Sequence, residues 1–248
     1  MAGYGWIVAP SSAPALTVRV PSELAFLLRP RDRAAGGRRL GYDPDATVGH
    51  VVQAAGVPMT EVGELQLDGV PTQATARPRP ESVVQVAAVR RPQPVPSGGF
   101  LLDVGLGTLA RRMRLLGLAA AWSNDAADAD LAARAAAEER VLLTQDRGLL
   151  MRRGVPGALV RGSRPDDQLA DVLDRFAPAL VPLTRCTACG AGLEPAAKAD
   201  VADRLPPGTR RTFDDFSRCP ACGRVYRHGA HARRIEELVA RATRQVGG

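Results

Sequence analysis

The sequence predicts an α/β protein built from a small mixed-sheet domain, a parallel-sheet domain and a cysteine-bearing segment. Strand-like and helix-like stretches alternate between residues 100 and 176, which is typical of a parallel sheet with helical crossovers. A strand, a helix and further strands come before this region, and four cysteines in two equal spacings come after it. These three observations predict the fold class and the order of the parts.

The first domain is expected at 16–90, after a disordered leader at 1–15. Thr47 is a suitable N-cap and Gly56 a suitable C-cap for its one clear helix. The Asp68-Gly69 pair is a turn signal between strands. This order of elements indicates a small α+β sheet domain of the β-grasp kind. The predicted elements are a strand at 16–20, a basic loop at 29–39, a helix at 48–55 and strands at 65–67 and 83–86.

The second domain is expected at 100–180, after a proline- and glycine-rich linker at 91–99. Its predicted strands are 100–103, 118–122, 140–143 and 157–160, and its predicted helices are 105–116, 128–138, 146–152 and 167–176. Asp103 ends one apolar run and Asp146 follows another. Because the carboxyl ends of parallel strands meet at one edge of a sheet, we expect these two carboxylates to converge there.

Further acids lie near predicted helix starts in the same domain. They are Asp125, Asp128, Asp130 and Asp167. Aspartate is favoured at helix starts by capping and by the helix dipole, so a structural role is the alternative for each of them. Divalent metals need several oxygen ligands, which carboxylates from different elements can supply. We therefore predict a magnesium or manganese site on Asp103 and Asp146, completed by one or more of the further acids.

Arginines lie between and beside these acids. Arg111 and Arg114 share a predicted helix, and Arg147 follows Asp146 directly. As functional groups they would hold phosphates, and the alternative is local ion pairs that stabilise the fold only modestly. The net charge is +7, and Lys198 is the only lysine. This balance is compatible with a solvated basic surface or with a polyanion partner, and among polyanions we favour nucleic acid.

Two C-x-x-C-G knuckles are the most specific local signal in the chain. Four thiolates can hold zinc in a closed tetrahedral site that supplies folding energy and leaves no position for substrate. A redox pair or an iron centre is the alternative. His231, at the start of a helix predicted at 231–246, is a candidate phosphate contact or a surface residue. The predicted zinc ligands are Cys186, Cys189, Cys219 and Cys222.

Several cellular settings and ligand classes are not expected for this chain. No stretch approaches about 18 uncharged apolar residues, so we expect no membrane partner. The N-terminus lacks a basic region followed by an apolar core, so we expect no signal peptide and a cytoplasmic location. In a reducing compartment the cysteines indicate metal binding. The Gly105-Leu106-Gly107 segment lacks the third glycine of a dinucleotide fingerprint, and no small-molecule cofactor is expected.

Segments in all three parts are similar to one known family. They are 55–62, 100–103, 106–111, 114–117, 142–147, 166–169 and 201–207, together with both cysteine knuckles. They resemble the Mut-seven C-terminal ribonuclease family, a PIN-like nuclease family that often carries a ubiquitin-like domain in front and a zinc ribbon behind. The resemblance covers nearly the whole chain after the leader.

The resemblance implies a PIN-like parallel-sheet nuclease domain at 100–180, with magnesium or manganese held by acids. It also implies an N-terminal β-grasp (ubiquitin-like) domain and, at 181–248, a zinc ribbon with a C-terminal helix. Asp103 and Asp146 match the family's acidic positions. Two residues depart from its pattern: Gln145 stands where the family usually has arginine, and Met59 where its ubiquitin-like part often has histidine.

Together these observations predict a metal-dependent ribonuclease that hydrolyses RNA phosphodiester bonds, with tRNA or rRNA as candidate substrates. The zinc ribbon would widen the RNA contact. One alternative is a non-catalytic RNA-binding module acting on tRNA or ribosomes. A third is a sulphur-carrier or interaction role for the ubiquitin-like part, which requires a free terminal Gly-Gly, whereas Gly98-Gly99 runs into a predicted strand. The sequence contains no signal for an oligomeric state.

Overall fold

The computed structural model describes residues 13–227 and 232–247, and the chain divides into two compact units between Arg90 and Arg91. The prediction for His231 and most of the predicted leader at 1–15 lie outside the described residues. Among the residues that are described, no helix has both the length and the apolar character needed to cross a bilayer.

The first unit is a five-stranded mixed sheet with one longer helix packed on it. The strand order is β2-β1-β5-β3-β4, in which β1 and β5 are parallel and the other neighbours are antiparallel. Valines and leucines from the sheet, the longer helix and the first 3-10 helix form its core. The elements are β1 (Ala15–Arg19), a 3-10 helix (Ser22–Leu27), α1 (Pro30–Arg33), β2 (Gly37–Gly41), α2 (Val48–Ala55), a 3-10 helix (Met59–Glu61), β3 (Val62–Leu67), β4 (Val70–Thr72) and β5 (Val83–Ala88).

Local signals in this unit behave as the sequence predicts. The Thr47 side chain accepts a hydrogen bond from the backbone N–H of His50 at 3.3 Å and so caps α2. Gly56 ends the helix with a φ of 108°, which is the left-handed conformation that glycine adopts at low cost. Asp68 and Gly69 both have positive φ in the turn between β3 and β4.

The predicted basic loop at 29–39 is the main error in this unit, because α1 forms within it and β2 begins in it at Gly37. Gly37 pairs with Arg19 and Gly41 with Ala15, so the whole of β2 lies along β1. A Cβ at Gly37 would overlap the backbone oxygen of Val18, which explains the glycine at this close approach. Strand β2 lacks an apolar alternation, and its partner strand supplies the pairing that its own side chains do not indicate.

The second unit begins with a four-stranded parallel sheet in the order β7-β6-β8-β9, with helical crossovers. Its core combines apolar strand residues with the predicted inner face of the first helix, including Leu109, Met113 and Leu116. The elements are β6 (Phe100–Leu102), a 3-10 helix (Val104–Leu106), α3 (Gly107–Leu115), β7 (Ala120–Trp122), α4 (Asp128–Ala137), β8 (Val141–Thr144), α5 (Arg147–Leu150), β9 (Gly157–Leu159) and α6 (Pro165–Phe176).

The segment at 91–99, predicted as a linker, is bound to the second unit along its length. Arg91 makes ion pairs with Asp174 at 2.6 Å and Asp171 at 2.9 Å, both on α6. A Cβ at Gly98 would overlap the backbone oxygen of Glu138, and one at Gly99 would overlap that of Ala119. The two glycines are therefore explained by close packing beside β6.

The rest of the second unit is a small antiparallel sheet in the order β10-β11-β12, followed by one long helix. Val201, Leu205 and Phe216 form a separate small core under this sheet. The final helix places Leu238 and Ala242 in the core of the parallel-sheet domain. The elements are β10 (Glu194–Ala196), α7 (Lys198–Val201), a 3-10 helix (Ala202–Arg204), α8 (Pro207–Thr212), β11 (Phe216–Arg218), β12 (Val225–Arg227) and α9 (Ala232–Val246).

Candidate functional site

The four cysteines form one cluster between the two knuckles. The Sγ atoms of Cys186 and Cys222 lie 3.6 Å apart, and those of Cys189 and Cys219 lie 3.4 Å apart. All four Sγ atoms lie within 4.8 Å of one another. Four thiolates bound at about 2.3 Å to one tetrahedral zinc ion would lie about 3.8 Å from each other. The cluster therefore has the size and the donor set that a structural zinc ion requires.

The two knuckles have the same backbone geometry. The N–H of Gly190 donates to the carbonyl of Cys186 at 2.8 Å, and that of Gly223 donates to the carbonyl of Cys219 at 2.9 Å. Both glycines have positive φ, at 85° and 74°. This is the turn that the C-x-x-C-G pattern predicts, and it directs both thiols of each knuckle toward the shared centre.

The thiols of the cluster differ in acidity. Burial opposes ionisation of Cys186, but hydrogen bonds from the Tyr226 hydroxyl and from knuckle amides outweigh it and lower the pKa of this thiol to about 6. Desolvation raises the pKa of Cys189 to about 12. Without a cation, the four thiols would not all be ionised at neutral pH. A bound metal ion is what would keep all of them as thiolates.

Arg114 joins the first knuckle to the parallel-sheet domain. Its side chain is only 2% exposed. Its Nε donates to the carbonyl of Ala120 at 2.7 Å, and its Nη1 donates to the carbonyls of Ala188 at 2.6 Å and Thr187 at 3.3 Å. Desolvation lowers its pKa. The prediction that Arg114 contacts RNA is therefore wrong, because the side chain is buried and its Nε and Nη1 already donate to backbone carbonyls.

Asp103 and Asp146 both follow strand ends at the carboxyl edge of the parallel sheet. Strands β6 and β8 are neighbours, with Leu102 opposite Leu143. The Thr144 hydroxyl donates to Asp103 Oδ2 at 2.5 Å and accepts from the backbone N–H of Asp146 at 2.8 Å. One buried hydroxyl thus connects the two acidic positions. The role of Thr144 is not predictable from its residue type, and the one signal in the sequence is its place in the 142–147 segment that carries the resemblance.

Backbone amides orient one oxygen of each of these carboxylates. Val104 N–H donates to Asp103 Oδ1 at 2.6 Å, and Gly148 N–H donates to Asp146 Oδ1 at 2.6 Å. Asp103 is half-buried and Asp146 is exposed. In the described part of the chain, no hydrogen bond or ion pair engages Asp146 Oδ2. Within the described residues, no protein group therefore competes with a ligand for Asp146 Oδ2.

The other predicted acids are not gathered into the same cluster. Asp128 makes an ion pair with Arg152 at 3.2 Å, and Asp167 makes one with Arg164 at 3.0 Å. The hydrogen bond from Arg164 lowers the pKa of the Asp167 carboxyl. Asp125 accepts a hydrogen bond from a nearby serine, and Asp130 lies in the exposed first turn of α4. Across residues 13–227 and 232–247, the cysteines are the one set of three or more potential ligands within 4.8 Å of each other.

Two of the predicted phosphate-binding arginines lie on the surface. Arg111 is exposed on α3, and Arg147 is exposed at the start of α5, directly after Asp146. Gln145, where the family usually has arginine, donates to the carbonyl of Gly162 at 2.7 Å and accepts from Gln168 at 3.3 Å. Its amide therefore holds the loop after β9 in place.

Comparison with known families covers both units. A model described as Mut7-C RNAse domain matches residues 98–239, which is more than half of the chain, and one described as Mut7-C ubiquitin matches residues 13–93. No curated protein and no solved structure matches the chain. The first match includes Asp103, Asp146 and both knuckles. The chain therefore belongs to the Mut7-C RNAse domain family and carries that family's ubiquitin-like domain at its N-terminal side.

Proposed function

We propose that this protein is a metal-dependent ribonuclease whose site is built on Asp103 and Asp146. The match to a ribonuclease domain supports a ribonuclease-type enzyme acting on RNA. The observation that carries the assignment to these residues is the link through Thr144, which joins both acidic positions at the carboxyl edge of the sheet. Ligands of open α/β sheets bind at that edge.

The donor set at this edge fits magnesium or manganese. Magnesium is commonly bound through one or two carboxylates, with waters and substrate phosphates completing its shell. Asp103 and Asp146 supply two carboxylates from the segments that follow two neighbouring strands. For a third ligand we favour Asp125 or Asp130, because Asp128 and Asp167 already neutralise arginines. When bound, the metal ion would lower the pKa of a coordinated water and neutralise charge that develops on the leaving oxygen.

The chain's own residues hold this site in a prepared geometry. The Thr144 hydroxyl and the Val104 amide fix both oxygens of Asp103, so this carboxylate does not need to reorganise when a cation or phosphate arrives. Arg147 and Arg111 are exposed in the same domain and can donate two hydrogen bonds to a phosphate. We assign them to positioning of the RNA backbone.

The test is cleavage of labelled RNA by the purified full-length chain with added Mn²⁺. The substrates are a single-stranded oligonucleotide, tRNA and rRNA. An Asp103→Asn, Asp146→Asn double variant should lose at least about 100-fold in rate, because even partners of metal ligands contribute about 10- to 100-fold. An Asp200→Asn, Asp215→Asn variant removes two exposed carboxylates from the C-terminal part and should cleave at the wild-type rate. Equal rates for the two variants would contradict the proposal.

The alternative is an RNA-binding module without catalysis. Gln145 supports it, because the amide is engaged by Gly162 and Gln168 and replaces the arginine that the resemblance leads us to expect. The same assay separates the two functions. RNA binding with no Mn²⁺-dependent cleavage on any of the three substrates would favour the binding module.

A further inference from the structure

The zinc-ribbon part carries a cleft lined by arginines beside the second knuckle. Its volume is about 490 Å³, and Arg204, Arg224 and Arg227 line it together with Thr209 of α8. Among the described residues, no acidic side chain lines it. We call these three arginines and the space between them the arginine cleft. It lies in a different part of the second unit from the strand ends that carry Asp103 and Asp146.

Two of the three arginines are held in place by their surroundings. Arg204 Nη1 donates to the carbonyl of Gly223 at 2.7 Å, which ties the 3-10 helix before α8 to the second knuckle. The Arg227 guanidinium lies 4.7 Å from the centre of the Phe213 ring. A guanidinium that is stacked and hydrogen-bonded before binding loses less side-chain entropy when it meets a ligand.

The cleft carries positive charge that the described residues do not neutralise. Arg204, Arg224 and Arg227 are exposed, and none of them makes an ion pair within residues 13–227 and 232–247. Glu236 lines a second pocket together with Arg227, and the two make no ion pair within the described residues.

Many arginines elsewhere in the second unit do have acidic partners. Examples are Arg91 with Asp171, Arg112 with Asp166, Arg134 with Glu138, and Arg152 with Asp128. Three arginines that line one cleft without an ion-pair partner among the described residues favour an anionic ligand.

We propose that the arginine cleft binds the phosphodiester backbone of RNA and holds it for the ribonuclease domain. The identity of the anion as RNA rests on the proposed function, whereas the anion site itself rests on the geometry of the cleft. Guanidinium groups recognise phosphate oxygens through paired hydrogen bonds. Arginine contacts to phosphate oxygens carry no sequence information, so we expect the cleft to act without sequence preference. It would act as an anchor distant from the cleavage site.

Removal of three charges from the cleft is the direct test. The zinc-loaded full-length chain is titrated into a labelled single-stranded RNA oligonucleotide without added Mg²⁺ or Mn²⁺, and anisotropy is measured over a range of salt concentrations. The Arg204→Gln, Arg224→Gln, Arg227→Gln variant should bind at least about tenfold more weakly, since phosphate contacts carry most of such affinity. The slope of log K against log salt should fall by about 2, because each single-strand phosphate contact contributes about 0.7.

The matched control removes the same charge from the first unit. The Arg19→Gln, Arg29→Gln, Arg79→Gln variant changes three exposed arginines that make no ion pair within the described residues. If RNA binds at the cleft, the affinity of this variant for the oligonucleotide should stay within about twofold of the wild-type affinity. If binding depends only on net charge, this variant should lose as much affinity as the cleft variant. An equal loss in both variants, or no loss in the cleft variant, would overturn the proposal.

A second variant separates a binding defect from a folding defect. Arg224 makes no side-chain hydrogen bond within the described residues, so Arg224→Glu changes the charge of the cleft without removing a structural contact. It should keep the wild-type zinc content and melting temperature while its RNA affinity falls. Wild-type affinity in this variant would contradict the proposal.

Further arms identify the anion. Inorganic phosphate and a phosphorylated peptide are each used to displace the oligonucleotide. Displacement by phosphate at submillimolar concentration would identify a small-anion site, and tighter binding of the peptide would identify a protein partner. Either result overturns the RNA assignment. RNA binding is measured without catalytic metal and therefore does not depend on cleavage. A chain that binds RNA through the cleft but never cleaves it would contradict the proposed function and leave the arginine cleft supported.

Discussion

Replacement of Thr144 by valine should disturb the candidate site more than any change of similar size nearby. Thr144 is fully buried, and its hydroxyl donates to Asp103 Oδ2 and accepts from the N–H of Asp146. A hydrogen bond to a charged group contributes about 2 kcal/mol and one to a neutral amide about 1 kcal/mol. Thr144→Val keeps the shape and loses both, so unfolding should become easier by about 3 kcal/mol. For a unit of this size, the melting temperature should fall by about 6–12 °C.

The matched control is Thr144→Ser, which keeps the hydroxyl and loses one methyl group, at a cost of about 1 kcal/mol. Thermal unfolding gives the stability of both variants, and a Mn²⁺ titration of RNA cleavage gives the concentration needed for half-maximal rate. In Thr144→Val the rate should fall about 10- to 100-fold and more Mn²⁺ should be required, since Asp103 keeps only the hydrogen bond from the Val104 amide. If the valine and serine variants share both melting temperature and Mn²⁺ dependence, the positioning role of Thr144 is refuted.

Three further predictions address the packing and the metal. Arg114→Met should lower the free energy of unfolding by about 3 kcal/mol, because three backbone carbonyls lose a charged donor. The control is Arg111→Met at an exposed position of the same helix. Equal losses of stability in the two variants, measured by thermal unfolding, would contradict this prediction. Gly98→Ala should destabilise by about 2 kcal/mol through overlap with a backbone oxygen, whereas Gly192→Ala meets open space and should not. Metal analysis should find one zinc ion per chain, and a chelator should lower the melting temperature. The zinc affinity should fall as the pH falls, because protons compete with zinc for the thiolates. An unchanged melting temperature after zinc removal would argue against a structural ion.

The elements that sequence reasoning predicted well are those set by short-range chemistry. Helix α2 begins and ends at the residues that its capping pattern indicates, because Thr47 and Gly56 satisfy backbone groups within a few residues of themselves. The two knuckles likewise follow from local turns around Cys186 and Cys219. The parallel sheet was predictable because its buried strands are short apolar runs that alternate with helical periodicity.

The elements that sequence reasoning missed depend on partners far away in the chain. Strand β2 lacks an apolar alternation and is a strand because β1 offers it a free edge. The sequence predicts Arg114 as an exposed base on a helix, but the side chain is buried and its Nη1 donates to carbonyls of the first knuckle. Asp128 and Asp167 differ from Asp103 in having arginine partners, which spacing along the chain does not reveal.

The sequence alone determined the α/β class, the two knuckles and the pair of acids at strand ends, because periodicity, turn chemistry and parallel pairing all act over short distances. Only the tertiary structure decided which polar groups already have hydrogen-bond or ion-pair partners within the protein. It showed that Thr144 connects Asp103 to Asp146, and it enclosed Arg114 between two parts of one unit. The physical reason is that burial and pairing of a charge depend on every element packed around it, and those elements come from distant parts of the chain.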